Sequence, residues 1–500
     1  MIERIVAIVR TDFLIRFRRL STVIVFLLLS GFAYVWVPDA ATGRTLMQIN
    51  GARVLYNSAA IGMGTSMLAS IFIGLFGFYV VSNAVRRDVN SRCGYVIAST
   101  TMRSGEYVVG KFLGNVVFLT TFIAGYMAAS MAMLLVRGEA PLEPLIFMKQ
   151  YAIVTPSTIV FISVAAIVFE SIPWLSGRFG DVFYFFVYAA SLGIVVSMMA
   201  QGGAGLGRYL DFSAFGYLME QTQRTFHTTS ISIGSSSFDP AKAPITIAGL
   251  NLAGDAWATR LVSTIAPIPM LLLARVFFHR FDPARIRAAG AKGKRGWMRS
   301  FNALAKPFSR VFAAIPVRGA ALTDAMITFA ITPFAGIALI GITIAALASA
   351  KSLPITFAVA AIFIADIASR DRRAGTISLI SACPHLRENY VLWKFASSSI
   401  VATLLLIAPL TRHPIAAITG ILFIAAAATS LGVISGNPKT FIVLFLTFWY
   451  VVVNDHGKTR ALDFAGFYAP PALGVIAMYG GIAIAFIVGA AIVHRTRLSS

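Results

Sequence analysis

The amino-acid sequence predicts an all-α integral membrane protein, with about twelve transmembrane helices arranged as two parallel six-helix halves. Three observations carry that prediction. Of 500 residues, 58% are hydrophobic and only 12% are charged, and the mean hydropathy is +0.79. A soluble domain carries roughly 25% charged residues, and half that share does not wet a surface of this size. Disorder is excluded by the same numbers, because it requires low hydrophobicity. The second observation is a series of apolar stretches long enough to span a bilayer. The third is an alternation of basic residues between the segments that join them.

A spanning helix needs about 20 mostly apolar residues. The candidate spans are 20–37, 61–84, 107–136, 151–171, 182–200 and 261–279 in the first half. The second half offers 326–349, 354–369, 390–411, 414–434, 440–454 and 470–493. The runs 354–369 and 440–454 are short and borrow flanking residues. The run at 20–37 is a span and not a cleaved signal: it exceeds a signal's apolar core, and Pro38-Asp39-Ala40-Ala41 offers no clear cleavage site.

Charge placement orients these spans. Segments 1–20, 85–106, 172–181, 280–325, 370–389, 435–439 and 494–500 hold 27 Lys/Arg and 9 Asp/Glu. The alternate set, 38–60, 137–150, 201–260, 350–353, 412–413 and 455–469, holds 12 and 9. By the positive-inside rule the chain is multi-pass in the cytoplasmic membrane with both termini in the cytoplasm. The formal charge of +22 is thereby explained by placement beside the bilayer. No nucleic-acid partner is expected. Cys93 and Cys383 fall on the cytoplasmic side as reduced thiols.

The chain is read as a first half, 1–280, a basic linker, 281–325, and a second half, 326–500. In the linker Trp297, Phe301, Leu304, Phe308, Phe312 and Ile315 recur at helical spacing among Arg295, Arg299, Lys306 and Arg310. That pattern predicts an amphipathic helix lying in the inner membrane surface. The chain start is alike, with Ile2, Ile5, Val9 and Phe13 against Glu3, Arg10, Asp12 and Arg16. The outer loop 201–260 is rich in Ser, Thr and Gly, and its length points to a function or to disorder.

Few residues suggest chemistry. Gly105 to Lys111 matches the start of a phosphate-binding loop, but Phe112 stands where Ser or Thr must reach magnesium. The six histidines show no metal-ligand spacing, so no metal or cofactor is expected in the chain, nor any catalytic residue. The embedded or interfacial charges are Lys111, Glu170, Arg275, Asp366 and Lys394. Asp366 and Arg370 have the spacing of a helical ion pair. No carboxylate lies near a midplane where a proton relay needs one, so the energy for transport is expected from outside the chain.

An internal repeat is the most informative feature. After the second span come Arg87-Asp88, Gly94 and then Tyr107-Val108-Val109-Gly110-Lys111-Phe112. After the eighth come Arg370-Asp371, Gly375 and then Tyr390-Val391-Leu392-Trp393-Lys394-Phe395. Ser176-Gly177 and Ser435-Gly436 occupy matching later loops.

The second block, Arg370 to Pro384 followed by Tyr390 to Lys394, resembles the signature of type-2 ATP-binding-cassette exporter permeases: an acidic residue, Gly-Thr, Leu, Pro, then Tyr-x-x-x-Lys. The first block departs from it, with Tyr95 in place of Thr and Met102 or Arg103 in place of Pro. The resemblance covers about a tenth of the chain and implies a permease subunit that exports a hydrophobic or amphipathic substrate. ATP and magnesium would be held by separate cassette ATPase subunits on the cytoplasmic face. It implies ATPase-coupling loops carrying Arg86, Arg87, Asp88, Gly94, Arg103 and Glu106, and Arg370, Asp371, Arg372, Gly375, Arg387 and Glu388. The alternative is a twelve-span secondary carrier, whose Gly-x-x-x-Asp-Arg-x-Gly-Arg-Arg-like loop Arg370 to Gly375 overlaps only in part.

Overall fold

A computed structural model describes residues 2–18, 20–82, 84–90, 93–172, 175, 177–200, 209–228, 230–250, 256–278, 319–331, 335–349, 352–412 and 414–499. The chain divides into two compact units, Met1–Ala289 and Gly290–Ser500. Among the described residues six helices are long and apolar enough to cross a membrane: Ser58–Val81, Ser104–Arg137, Pro144–Ser171, Trp257–Phe277, Pro414–Ser435 and Leu473–Arg497. The protein is therefore a helical membrane protein. The amphipathic helix expected at Trp297 to Ile315 lies outside the described residues.

The first unit runs α1 (Ile2–Phe17), α2 (Leu20–Trp36), β1 (Arg44–Ile49), β2 (Ala52–Arg53), α3 (Ser58–Val81), α4 (Ala84–Asn90), α5 (Cys93–Ser99), α6 (Ser104–Arg137), α7 (Pro144–Ser171), α8 (Arg178–Ala200), α9 (Phe215–Phe226), β3 (Ile231–Ser237), α10 (Ala256–Ile265) and α11 (Leu271–Phe277). Pro267 and Pro269 explain the break between α10 and α11, because proline lacks the amide donor of a helix interior.

Helix α3 is the centre of this unit. It is buried along most of its length, which its uniform Ala, Ile, Met and Gly content allows. Tyr184 and Tyr188 of α8 reach across it and donate to Gly74 O at 2.7 Å and Ser70 O at 3.1 Å. A Cβ at Gly74 would clash with the Tyr188 ring and hydroxyl. Gly74→Ala is therefore expected to lower stability by about 1–3 kcal/mol, as overpacking does. A fall in the melting temperature of the detergent-purified chain, with no further fall when Gly74→Ala is added to Tyr188→Ala, checks this.

The outer segments depart from a purely helical reading. Strands β2, β1 and β3 form a three-stranded antiparallel sheet in that order, with Gln48 opposite Arg53 and also opposite Ser232. The sequence supports strands here through Thr45, Met47 and Ile49 and Ile231 and Ile233, which alternate as half-buried strands do. Met47, Ile49 and Val54 then pack with Met63 and Met67 of α3, Val154 of α7 and Leu218 of α9. The loop 201–260 is thus partly a folded cap.

The second unit runs α12 (Ala320–Ile331), α13 (Ala335–Ala348), α14 (Leu353–Ile364), α15 (Arg370–Ala374), α16 (Ile377–Ser381), α17 (Pro384–Glu388), α18 (Tyr390–Leu405), α19 (Ile407–Arg412), α20 (Pro414–Ser435), α21 (Pro438–Asp455) and α22 (Leu473–Ser499). Within the stretch read as one span at 326–349, the described residues belong to α12 and α13, and 332–334 lie outside them. The run 390–411 is split, with α18 ending before Leu406.

Candidate functional site

In the first unit the site begins with two glycines. Gly110 and Gly114 stand one turn apart on α6. A Cβ at Gly110 would meet Ile8 Cδ1 at 2.8 Å, and one at Gly114 would meet Asp12 Cβ at 3.7 Å. Absence of those side chains lets α1 lie close on α6, as small residues do where helices approach in membranes. The approach carries Asp12, which is 3% exposed, to Lys111, which is 4% exposed.

Lys111 Nζ lies 2.8 Å from Asp12 Oδ1 and 2.8 Å from Asp88 Oδ2, so one ammonium joins carboxylates from α1 and α4. Arg16 Nη2 lies 2.6 Å from Asp12 Oδ2, and Arg87 donates to Asp12 Oδ1. Tyr107 donates to Asp88 Oδ2 at 2.7 Å, and its ring stacks on Phe278 with centroids 5.0 Å apart. Burial alone would raise the Asp12 pKa, but Arg16, Lys111 and Arg87 together hold it below the ordinary 3.8.

The second unit builds the same arrangement. Lys394, with no exposed side-chain surface, lies 3.0 Å from Asp324 Oδ2 of α12 and 2.7 Å from Asp371 Oδ2 of α15. Tyr390 OH lies 3.1 Å from Asp371 Oδ2 and stacks on His494 with centroids 5.1 Å apart. Arg370 reaches Asp324 at 3.4 Å, Asp366 at 3.3 Å and Thr328 Oγ1 at 2.9 Å. Asp12 corresponds to Asp324, Arg87 to Arg370, Asp88 to Asp371, Tyr107 to Tyr390 and Lys111 to Lys394. The last four pairs keep identical sequence spacing in both blocks. We call each arrangement a clasp: it ties an N-terminal helix, a short surface helix and the start of a long helix to a single lysine.

The other candidate residues divide by exposure. Glu170 accepts from Ala84 N at 3.0 Å and Val85 N at 2.7 Å, which places a carboxylate at the N-terminus of α4. Glu106 accepts from Arg103 N at 3.0 Å and lies 3.6 Å from Arg4. The side chains of Arg103, Arg275, Arg372, Arg387 and Glu388 are exposed. Arg86 lies in α4, and its side chain is outside what is described. Gly94 and Gly375 are not conformational equivalents. Gly375 ends α15 at φ +74°, in the left-handed region, whereas Gly94 lies inside α5. Gly177 and Gly436 do share positive φ, at +131° and +66°. Arg372 Cδ would lie 3.0 Å from a Cβ at Gly436.

Sequence reasoning missed two members. Asp12 read as part of a polar helix face, and Asp324 fell in the basic linker. The usable signal was physical: a buried lysine at the start of an apolar helix requires a carboxylate partner, and these acids are carried by the helices that precede each half. Among the described residues no group of His, Cys, Asp and Glu could hold a metal ion. Compared with known protein families, curated proteins and solved structures, the chain finds no significant match.

Proposed function

We propose that this chain is the membrane permease subunit of an ATP-driven exporter of the cassette class. It would form twelve spans in the cytoplasmic membrane, with both termini inside. Separate ATPase subunits on the inner face would hold ATP and magnesium. The observation that carries the reading is the pair of clasps. Each joins a short surface helix, α4 or α15, to the start of the next long helix through a buried lysine. A force applied to those short helices is delivered to α6 or α18 without passing through a flexible linker. An engine-free gate worked by a soluble partner needs such a connection. The apolar composition of the helices favours a hydrophobic or amphipathic substrate.

The clasp dictates how the docking surface is tested. Reversing Asp88, Asp371, Arg87 or Arg370 would break internal pairs, so a loss of partner binding would be ambiguous. Arg103, Arg372 and Glu388 are exposed and outside the clasps. Arg103→Glu/Arg372→Glu/Glu388→Lys is expected to weaken co-purification of the ATPase encoded with it by at least about tenfold, since like charges across an interface cost several kcal/mol. The melting temperature of the permease should not change. Undiminished ATPase binding by the triple variant counts against the proposal.

A further inference from the structure

A second repeat lies away from the clasps in sequence, in the connection before the last long helical segment of each unit. Leu210-Asp211-Phe212-Ser213-Ala214-Phe215 follows α8, and Leu462-Asp463-Phe464-Ala465-Gly466-Phe467 follows α21. The likeness extends to the backbone. Ala214 and Gly466, the matching fifth residues, both adopt left-handed φ, +60° and +68°. Each aspartate then accepts amides from the residues that follow the turn. Asp211 Oδ2 accepts from Tyr217 N at 2.9 Å, whereas Asp463 accepts from Phe467 N at 2.7 Å and Tyr468 N at 3.0 Å.

Each turn drives its first phenylalanine inward. Phe212 stacks on Phe161 of α7 with centroids 4.4 Å apart. Its carbonyl oxygen accepts from Ser157 Oγ at 3.1 Å and Thr158 Oγ1 at 2.6 Å. Phe464 is buried beside Phe357, Phe423, Phe448 and Tyr479, with centroids 5.5–5.9 Å away. The second turn seats on α20, where a Cβ at Gly420 would meet Ala465 Cβ at 2.7 Å. In both units, therefore, an Asp-braced aromatic turn fastens the connection before the final helix to the helix that corresponds in order, α7 or α20.

We infer that these two turns are the outer latches of the halves, each held shut by its aspartate and released from α7 or α20 when the transport path opens outward. This deepens the permease reading and rests on it. The left-handed residue is the hinge. It lets the chain reverse within a few residues, so the aromatic can withdraw without unravelling the flanking helices. The latches are unequal. The first is also pinned by the charged Arg260, which donates to Asp211 O at 2.6 Å, whereas the second has aromatic packing and neutral donors such as Tyr479, which reaches Ala461 O at 2.9 Å. The second should open first.

The test uses the full chain with its ATPase partner in native membranes. Cys93 and Cys383, both exposed, become serine. Ser213→Cys and Ala465→Cys, at positions 3% and 5% exposed, then report on one turn each. A membrane-impermeant maleimide added outside should leave both unlabelled at rest and label Ala465→Cys sooner during ATP turnover. In Asp463→Asn or Asp211→Asn the matching cysteine should react at least about tenfold faster without nucleotide, because the carboxamide keeps one acceptor oxygen where the carboxylate used two and turns an NH2 toward a donor. Should an Asn variant fail to accumulate, Gly466→Ala takes its place, since it strains the hinge at φ +68°. Labelling that ignores these substitutions overturns the latch. Labelling that follows them but ignores ATP leaves the latch standing and overturns the ATP-driven reading.

Discussion

Lys394→Met is expected to melt the clasp end of the second unit at a temperature well below that of the parent. The substitution leaves Asp324 and Asp371 facing each other around an apolar side chain, with Arg370 remaining beside Asp324. Removing one partner of a buried ionic group costs about 3–5 kcal/mol, because the remaining charges have no solvent to turn to. Thermal unfolding of the detergent-purified chain, followed by size-exclusion chromatography, measures the loss. Lys394→Met/Asp324→Asn/Asp371→Asn should recover most of it, since neutral groups of similar shape remove the uncompensated charge. Lys111→Met should cost less, because Arg16 and Arg87 both remain beside Asp12. A parent-like melting temperature for Lys394→Met would sink the account of the clasp.

Arg260→Leu is the second large effect. Pro156 lies inside α7 and offers no amide to the carbonyl one turn before it, so the helix is weakened there. Arg260 braces that turn: it donates to Ile153 O at 3.3 Å, Val154 O at 3.3 Å and Asp211 O at 2.6 Å, and also to Ser157 Oγ. It sits beside the fully enclosed Asp211, whose carboxyl burial pushes up against the opposing pull of Arg260. Leucine fills similar space but donates nothing, so three carbonyls and the Ser157 hydroxyl each lose a donor at once, although Asp211 O keeps Ala214 N and Ser157 Oγ keeps Phe212 O. The expected loss is about 3–5 kcal/mol, concentrated in the outer cap. Limited proteolysis should then cut between Thr228 and Lys242 before the membrane helices are affected. Unchanged protease resistance would show that the cap is held by its apolar contacts alone.

The contrast between the two faces of the chain shows what could be read from residues. The repeat of Arg-Asp and Tyr-x-x-x-Lys was visible because it is contiguous and its spacing is conserved between the two blocks. Its meaning was not, because Asp12 and Asp324 are distant in sequence and sit in different local compositions. A long-range ion pair leaves no periodic trace. The apolar helices α3, α6, α7, α20 and α22 were legible from hydropathy, which depends on composition alone. The split at Leu406 was not, since an apolar run reads the same whether continuous or broken. The outer turns were hidden for another reason. Leu-Asp-Phe is short, and its second copy sits in a connection much shorter than the first, so length obscured the correspondence. The strands β1 and β3 are separated by nearly the whole first unit, and pairing over such distance is decided by tertiary contact and not by propensity.

The composition of the clasps has one last consequence, for how the halves could be shared. Among the described residues, the first clasp sets Arg16, Arg87 and Lys111 against Asp12 and Asp88. The second sets Arg370 and Lys394 against Asp324, Asp366 and Asp371. The two clasps are thus built from different sets of charges on the same plan. Fusion in one polypeptide fixes these unlike clasps at one copy each, a pairing that a homodimer of either half would not contain.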